Sequence, residues 1–325
     1  MLIYNNVLWL LLAALLIDAV FGDPDWLWRR LPHPVVWIGK VISFFDKSLN
    51  SPDAAPDQRK RNGILTLLAL VAGAAIIGVV IHFLAAMIPG GDAIIVVITA
   101  IFIAQNSLYR HVAAVRDGLK ANGLDGGRKA VAMIVGRDPE QLDEAGVSRA
   151  AIESCAENFA DGVVAPVFWF ALLGLPGLLA YKAVNTADSM IGHKNQKYTD
   201  FGWASARFDD LINLPASRLA GTFIALSAPL ARGSTRRSLA CIFRDAGKHR
   251  SPNAGWPEAA MAGALDIALA GPRAYPGYTV EDPYLNETGR KDAEAGDISG
   301  ALTVLVGACC MQAMALLIIS LSLTR

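Results

Sequence analysis

Residues 64–88, ILTLLALVAGAAIIGVVIHFLAAMI, decide the fold, because no Asp, Glu, Lys or Arg interrupts them. A helix of about 20 apolar residues crosses the roughly 30 Å hydrocarbon core of a bilayer. The segment is apolar around its whole circumference, which a helix in a soluble core rarely is over this length. We therefore predict that residues 64–88 span a membrane.

Similar apolar segments recur along the chain and set the fold class. We predict clear or probable spans near 7–21, 64–88, 93–109 and 298–321, and ambiguous broken segments at 163–184 and 211–230. The chain is 54% apolar, more than the 45–50% that is usual in soluble domains. These features predict an all-α polytopic membrane protein with about four to six apolar segments, forming one integral membrane domain over residues 1–325.

Lys and Arg are unevenly distributed among the polar connections. Segments 23–62 and 110–162 hold seven each and 231–297 holds nine, whereas 89–92 holds none. The positive-inside rule therefore places the three basic segments, with the active face, on the cytoplasmic side of the inner membrane. The two broken segments could cross fully, which would put 185–210 outside, or could be re-entrant. We favour re-entrance because it keeps the polar motifs on one face.

The first apolar segment is expected to be a retained span, since residues 1–6 lack the Lys or Arg of a signal peptide. Gly22-Asp23-Pro24 then predicts a helix stop. His33 follows between two prolines, which hold the backbone extended. His33 is a candidate general base, and the alternative is a loop histidine without a role.

Three carboxylates, Glu153, Glu157 and Asp161, recur every four residues on one face of a predicted helix. Like charges on successive turns repel each other unless a cation lies against them. One interpretation is a row that holds Mg²⁺, which binds through one or two carboxylates plus phosphate oxygens. The alternative is a solvated face with arginine partners.

A long polar run, 185–210, lies between the two broken apolar segments. Its carboxylates could bind a metal and its basic residues could neutralise phosphate; these residues are Asp188, Asp209, Asp210, Lys194, Lys197 and Arg207. A juxtamembrane amphipathic loop would have a similar composition.

Farther along, Asn253 precedes a predicted helix at 258–268, whose N-terminus could receive a phosphate.

Several protein classes are disfavoured by what the sequence lacks. It contains no G-x-x-x-x-G-K-[ST] loop, G-x-G-x-x-G fingerprint, H-E-x-x-H or G-x-S-x-G motif. The four cysteines have no CxxC spacing, which favours packing residues over a metal site. The formal net charge is zero, so no basic field favours nucleic acid.

The order and spacing of these motifs resemble the adenosylcobinamide-phosphate synthase (CobD/CbiB) family of cobalamin biosynthesis. The resemblance runs from Leu16 to about Leu269. It is carried by Gly22-Asp23-Pro24, Pro32-His33-Pro34, Glu153–Asn158, Asp161–Pro166, Ala183–Thr186, Asp188–Met190, Ser205–Arg207, Asp209-Asp210, Ser251–Gly255 and Pro257-Glu258.

The resemblance implies an enzyme that uses ATP and Mg²⁺ to join aminopropanol or its phosphate, as an amide, to a propionate of adenosylcobyric acid, a corrinoid. The expected catalytic residues are His33, Glu157, Asp188 and His193. The expected cofactor-binding residues are Asn158, Asn185, Lys194, Arg207, Arg218 and Asn253. The expected metal ligands are Glu153, Glu157, Asp161, Asp188 and Asp210, of which the last four are expected to converge around Mg-ATP.

The expected partners are these substrates and membrane lipid, together with other cobalamin-pathway proteins or a second copy of the chain. Two other classes stay open: a non-catalytic membrane sensor on the same scaffold, distantly similar to β-lactamase-induction sensors, and a corrinoid transporter. Transporters more often carry ionisable groups within their spans. The clear spans here are nearly free of them, which favours the enzyme.

Overall fold

The computed structural model describes residues 2–136, 138–275, 278–280 and 282–323, and it is predominantly helical. The α-helices are α1 Leu2–Phe21, α2 Asp25–Trp28, α3 Pro34–Leu49, α4 Pro56–Ala86, α5 Asp92–Ile101, α6 Gln105–Val131, α7 Glu144–Phe159, α8 Ala165–Ile191, α9 Trp203–Ser227, α10 Thr235–Asp245, α11 Gly255–Leu265 and α12 Ala295–Leu323. Short 3₁₀ turns occupy Pro139–Gln141, Ala228–Ala231 and Ala246–Lys248, and a π-helical turn occupies Ala160–Val164.

Among the described residues between α11 and α12 there are four short strands. They are β1 Leu269–Ala270, β2 Arg273–Tyr275, β3 Tyr278–Val280 and β4 Tyr284–Leu285. β1 pairs with β4 and β2 pairs with β3, both antiparallel. The predicted all-α class is confirmed, because these strands are minor additions to a helical chain.

Five helical stretches of the described chain are long and apolar enough to cross a membrane. They are Pro56–Ala86, Asp92–Val131, Glu144–Ile191, Trp203–Ala231 and Ala295–Leu323, and Val7–Phe21 is a shorter apolar helix. Only 22% of the most apolar window of α4 is buried within the protein. The rest of that window is apolar surface, as expected of a helix in contact with lipid. The prediction of a polytopic membrane protein is confirmed.

The backbone breaks predicted from glycine and proline differ in outcome. α1 ends at Phe21, and Gly22 adopts the left-handed conformation, as predicted. The break in 163–184 is also confirmed, since Gly174 has a φ of 63° inside α8, two residues before Pro176. The predicted break in 211–230 is wrong, because α9 runs without interruption from Trp203 to Ser227 and contains Pro215.

The chain forms two compact units, each made of separate stretches. Unit 1 comprises residues 1–104, 165–213 and 323–325. Its core is built where α3 and α4 pack against α8; the buried residues there are Ile42, Leu70, Ala183, Ala187, Ile191 and Phe201. Unit 2 comprises residues 105–164 and 214–322. Its α7 packs against α6 and α11, and α10 packs against α11.

Candidate functional site

The polar run 185–210 is mostly helical, which corrects the picture of a polar loop. Its first residues, including Asn185 and Asp188, form the last two turns of α8. Its last residues form the first two turns of α9. Only 192–202 connect the two helices. The carboxyl groups are therefore carried on rigid helix ends, which fix their positions better than a loop would.

A buried hydrogen-bonded chain joins α8 to α9 within unit 1. The Tyr181 hydroxyl donates to Asn213 Oδ1 at 3.0 Å, and Asn213 Nδ2 donates to Asp209 Oδ2 at 2.9 Å. Asp209 is only 8% exposed, and its other oxygen, Oδ1, is buried, with the Asn185 side chain beside the carboxyl group. A buried polar group is costly unless it is hydrogen-bonded, so this chain fixes Asp209 at the centre of the cluster.

Two further carboxyl groups lie around Asp209. Asp188 and Asp210 are half-buried and interact electrostatically with each other, and both interact with Asp209. Three acidic groups held this close repel one another when charged. A cation or cationic group bound beside them would relieve this repulsion.

Basic side chains surround these carboxyl groups at the protein surface. Exposed His193 interacts with Asp188, and exposed Lys194 and Arg207 interact with Asp210. The structure thus brings together six predicted site residues of unit 1: Asn185, Asp188, His193, Lys194, Arg207 and Asp210. Half-buried carboxylates with exposed cationic side chains beside them suit a metal–phosphate ligand.

The connection 192–202 is fixed to the corner between α3 and α4. Lys197 Nζ lies 2.7 Å from Asp46 Oδ2, and Tyr198 also donates to this carboxylate. Burial raises the pKa of Asp46, but the hydrogen bonds from Lys197 and Asn50 outweigh it and hold the pKa below its ordinary value. The hydrogen bond that Lys197 donates to Asp46 also raises the pKa of Lys197. Lys197 is therefore a structural partner of Asp46, which corrects its suggested role toward phosphate.

Asn50 and Arg59 complete this attachment. Asn50 Nδ2 donates to Asp46 Oδ1 at 2.9 Å and to the Lys197 carbonyl at 3.2 Å. The Arg59 guanidinium donates to Asn50 and to the carbonyls of Gln196 and Lys197. Because these bonds satisfy the connection's backbone carbonyls, they position the segment that carries His193 and Lys194.

His33 has a structural role in addition to any chemical one. Its Nδ1 accepts the Val35 backbone N–H at 3.2 Å and so caps the N-terminus of α3. Its ring packs edge-on against Trp28, with centroids 4.6 Å apart, and Nε2 lies 3.7 Å from Asp23. The backbone of His33 is extended, as predicted, with a φ of −56° and a ψ of 141°. A catalytic role for His33 stays a prediction.

The predicted row of equivalent carboxylates in unit 2 is corrected. Glu153 is 6% exposed and accepts the Ala270 backbone N–H at 2.9 Å, so it joins α7 to the start of the strand region. Glu157 is exposed, and Asp161 is half-buried in the π-helical turn that follows α7. The three carboxylates therefore lie in different surroundings, and Glu153 binds a backbone N–H. Their predicted convergence with Asp188 and Asp210 stays a prediction.

The remaining predicted residues of unit 2 are engaged in local contacts. Asn158 donates to the Ser154 carbonyl at 2.9 Å. Arg218 Nη1 donates to Asn253 Oδ1 at 3.0 Å, and its guanidinium lies 4.6 Å from the Trp256 ring centroid. Arg218 and Asn253, 35 residues apart, are thus in direct contact next to the N-terminus of α11. Their proposed contact with a nucleotide is untested.

Another carboxyl group of unit 2 is structural. Asp245 is fully buried, and burial raises its pKa. Hydrogen bonds from Arg244, Lys248 and the Asn286 backbone more than offset this effect and hold the pKa well below its ordinary range. The Asn286 backbone N–H, which donates to Asp245 Oδ2 at 2.8 Å, connects α10 to the segment after β4.

The cluster around Asp209 fits a magnesium–phosphate ligand better than a metal held by protein alone. In the described part of the chain, no three His, Cys, Asp or Glu side chains are arranged to hold a metal ion. Mg²⁺ usually takes one or two carboxylates and completes its shell with water and phosphate oxygens. Asp188 and Asp210, with Lys194 and Arg207 above them, match that set of ligands.

Sequence reasoning missed Tyr181 and Asn213 and left Asp209 out of the final ligand set. One signal was available: Asn213 and Asp209 are four residues apart, so they share a helix face. Asn213 is also an amide within an apolar segment, where polar side chains are costly and tend to be functional. Tyr181 left no such signal, since an aromatic residue in an apolar segment is usually packing.

The fold and the site define a polytopic membrane protein with a carboxylate-rich cluster at the ends of two helices. Residues 11–305 match the family model described as CobD/Cbib protein, so the chain belongs to the CobD/CbiB family.

Similar proteins carry the name "Cobalamin biosynthesis protein CobD". The one from Sinorhizobium fredii is 57% identical over 308 residues, covering 94% of both chains. The one from a Sinorhizobium species is 55% identical, covering 95% of this chain and 97% of its own. The Rhodobacter capsulatus protein is 47% identical, covering 91% of both. No solved structure matches significantly.

Proposed function

We propose that this protein acts in cobalamin biosynthesis as an ATP-dependent amide ligase. It would join the amine of aminopropanol or its phosphate to a propionate of adenosylcobyric acid, giving adenosylcobinamide or its phosphate. Family membership supports the pathway. The observation that carries the chemistry is the cluster in unit 1 of three carboxyl groups, Asp188, Asp209 and Asp210, beneath the basic residues Lys194 and Arg207.

The reaction makes three physical demands on the site. A carboxylate is a poor acyl donor, so phosphoryl transfer from ATP must first turn it into an acyl phosphate, releasing ADP. The amine then attacks the acyl carbon, the C–O bond breaks, and phosphate leaves. The site must therefore bind phosphate charge, place the two substrates together and accept a proton from the attacking nitrogen.

The residues of the cluster can meet these demands. Asp188 and Asp210 would hold Mg²⁺, which when bound neutralises phosphate charge. Lys194 and Arg207 would bind phosphate oxygens, with Arg207 offering a planar fork of donors. His193, beside Asp188, would accept the amine proton, and Asp188 would stabilise the imidazolium that forms. Asp209 is bonded to Asn213, which in turn bonds to Tyr181 of α8, and it would help to hold α8 and α9 in fixed positions relative to each other.

The setting of the site belongs to the same proposal. We place the reaction at the cytoplasmic face of the inner membrane, because ATP is supplied there and the basic segments 23–62 and 110–162 favour that side. The corrinoid and the amine are the proposed substrates, and other proteins of the pathway are proposed partners that would deliver or remove them.

The test is direct synthesis by the purified full-length protein. Adenosylcobyric acid, aminopropanol phosphate or free aminopropanol, and Mg-ATP are incubated with the protein in detergent, and the amide product is identified by mass spectrometry. Asp188→Asn and Asp210→Asn should each lower turnover by at least about 100-fold, since a lost charge-stabilising group commonly costs that much. Asp53→Asn, which changes an exposed carboxylate outside the cluster, is the matched control and should retain activity.

Two results would count against the proposal. Wild-type protein that binds the corrinoid tightly but forms no amide with either amine would favour a sensor or transporter. Full activity in Asp188→Asn would separate the cluster from the chemistry even if the amide forms.

A further inference from the structure

Helix α3, Pro34–Leu49, has one face committed to the core of unit 1. Ile42 is fully buried in that core, and Ile38, Phe45 and Leu49 pack against it. These residues are spaced four, three and four apart, so they form one stripe along the helix. The remaining circumference of α3 is left to the surroundings.

A second stripe of α3 is apolar although it lies on the surface. Trp37, Val41 and Phe44 are 60%, 47% and 64% exposed and are again spaced four and three apart. The exposed apolar surface continues upstream through Leu31 and Trp26. An apolar surface of this extent on a soluble region would be unusual and marks a contact site.

Basic residues flank this stripe. Lys40 and Lys47 are exposed and seven residues apart, about 80° around the helix from it at 3.6 residues per turn. Arg29 and Arg30, just before α3, are exposed as well. The one acidic residue of the helix, Asp46, faces inward and is paired with Lys197. The outward surface of α3 is therefore apolar on one side and positive on the other.

The position of α3 in the chain connects this surface with the membrane. α1 ends four residues before α2 with exposed Val20 and Phe21, and α4 becomes continuously apolar at Ile64. Both helices therefore meet the membrane surface at the ends that border α3. A helix with an apolar stripe, flanking lysines and tryptophan has the composition of one lying in the plane of the interface.

We infer that α3 is an interfacial helix that binds anionic phospholipid at this membrane surface. Trp37, Val41 and Phe44 would enter the headgroup–acyl boundary, while Lys40 and Lys47 would contact anionic headgroups. Segment 23–62 is then in part a lipid-binding element rather than a solvated loop. The inward face of the same helix carries Asp46, which binds the 192–202 connection through Lys197. One rigid helix would therefore contact lipid with its outward face and the 192–202 connection with its inward face.

The test measures the depth of individual side chains in the full-length protein. Nitroxide labels are placed at Val41→Cys and Phe44→Cys in a background with Cys309→Ala and Cys310→Ala, because the other cysteines, Cys155 and Cys241, are buried. The unsubstituted background measures residual labelling. After reconstitution into vesicles, collisions with oxygen, which concentrates in lipid, are compared with collisions with a water-soluble nickel chelate.

Labels at 41 and 44 should show an oxygen-to-nickel ratio several-fold higher than a label at Asp53→Cys, an exposed position beyond the helix. Ratios equal to that at 53 would overturn the inference. Dipolar broadening between labels at 44 would assign the stripe to a second copy of the chain, which would also overturn it.

The charge requirement is tested by lipid composition. In vesicles of phosphatidylcholine mixed with phosphatidylglycerol, the ratio at 44 should rise above its value in phosphatidylcholine alone. Lys40→Gln with Lys47→Gln should remove that rise and leave the ratio in phosphatidylcholine unchanged. If the protein that keeps Lys40 and Lys47 gives equal oxygen-to-nickel ratios at 44 in both vesicle types, the assignment to anionic lipid is overturned. Neither result depends on amide synthesis, so this inference can fail separately from the proposed function.

Discussion

Replacing Asn213 with alanine should destabilise unit 1 more than any single change around it. Asn213 is 1% exposed and bridges two groups, accepting from the Tyr181 hydroxyl at 3.0 Å and donating to Asp209 at 2.9 Å. Asn213→Ala removes both hydrogen bonds and leaves both partners in an environment with little water. The loss therefore exceeds that of two ordinary hydrogen bonds.

The size of the loss in unfolding free energy follows from the number of buried polar groups that Asn213→Ala leaves without a partner. A buried polar group that loses its partner costs about 1–3 kcal/mol, and Asn213→Ala leaves two of them. We expect the free energy of unfolding to fall by about 2–5 kcal/mol. Tyr181→Phe removes the donor of one neutral hydrogen bond, and should cost about 1 kcal/mol. Because Tyr181→Phe also removes one of the groups stranded in Asn213→Ala, the double variant should cost less than the sum of the single ones.

The assay is reversible unfolding in mixed micelles of detergent and sodium dodecyl sulfate, followed by circular dichroism. All three variants are compared with the parent at one pH. Changes below about 0.5 kcal/mol for both single variants, the range of ordinary surface substitutions, would refute a buried network. Strictly additive costs would show that Tyr181 and Asn213 do not interact.

Two other predictions concern the elements that hold the site. The pKa of Asp46 lies below its ordinary value of 3.8, so Asp46 stabilises the fold at neutral pH, and this contribution is lost as the pH falls below about 4. The melting temperature of Asp46→Asn should therefore be lower than that of the parent at pH 7, and the difference should close toward pH 3. A difference that stays constant with pH would show that the ion pair with Lys197 does not cause the loss of stability. His33→Ala should lose about 1 kcal/mol with the N-cap of α3, while His33→Asn, which can still cap, should retain most of that stability. Turnover that falls at least about 100-fold in both variants would support a catalytic ring, and unchanged turnover in His33→Asn would leave His33 a structural residue.

The sequence predicted those features of the fold that depend on neighbouring residues. Residues 64–88 and 298–321 are apolar over enough consecutive positions to cross a bilayer, and that property needs no partner from elsewhere in the chain. The stop after Phe21 and the break at Gly174 also follow from local backbone chemistry. The polar run 185–210 likewise stood out because it interrupts two apolar segments. Its grouping of Asp188 with Asp210 was therefore partly predictable.

Only the tertiary structure decided which of the polar residues are structural. Glu153 bonds to the backbone of Ala270, 117 residues away, and Lys197 pairs with Asp46, 151 residues away. Such contacts leave no periodic pattern, because each depends on how separate helices pack. Asp209, held by Asn213 in the buried chain, could not be ranked above its neighbour Asp210 from sequence, since adjacent residues on a helix point about 100° apart and only packing shows which one faces inward.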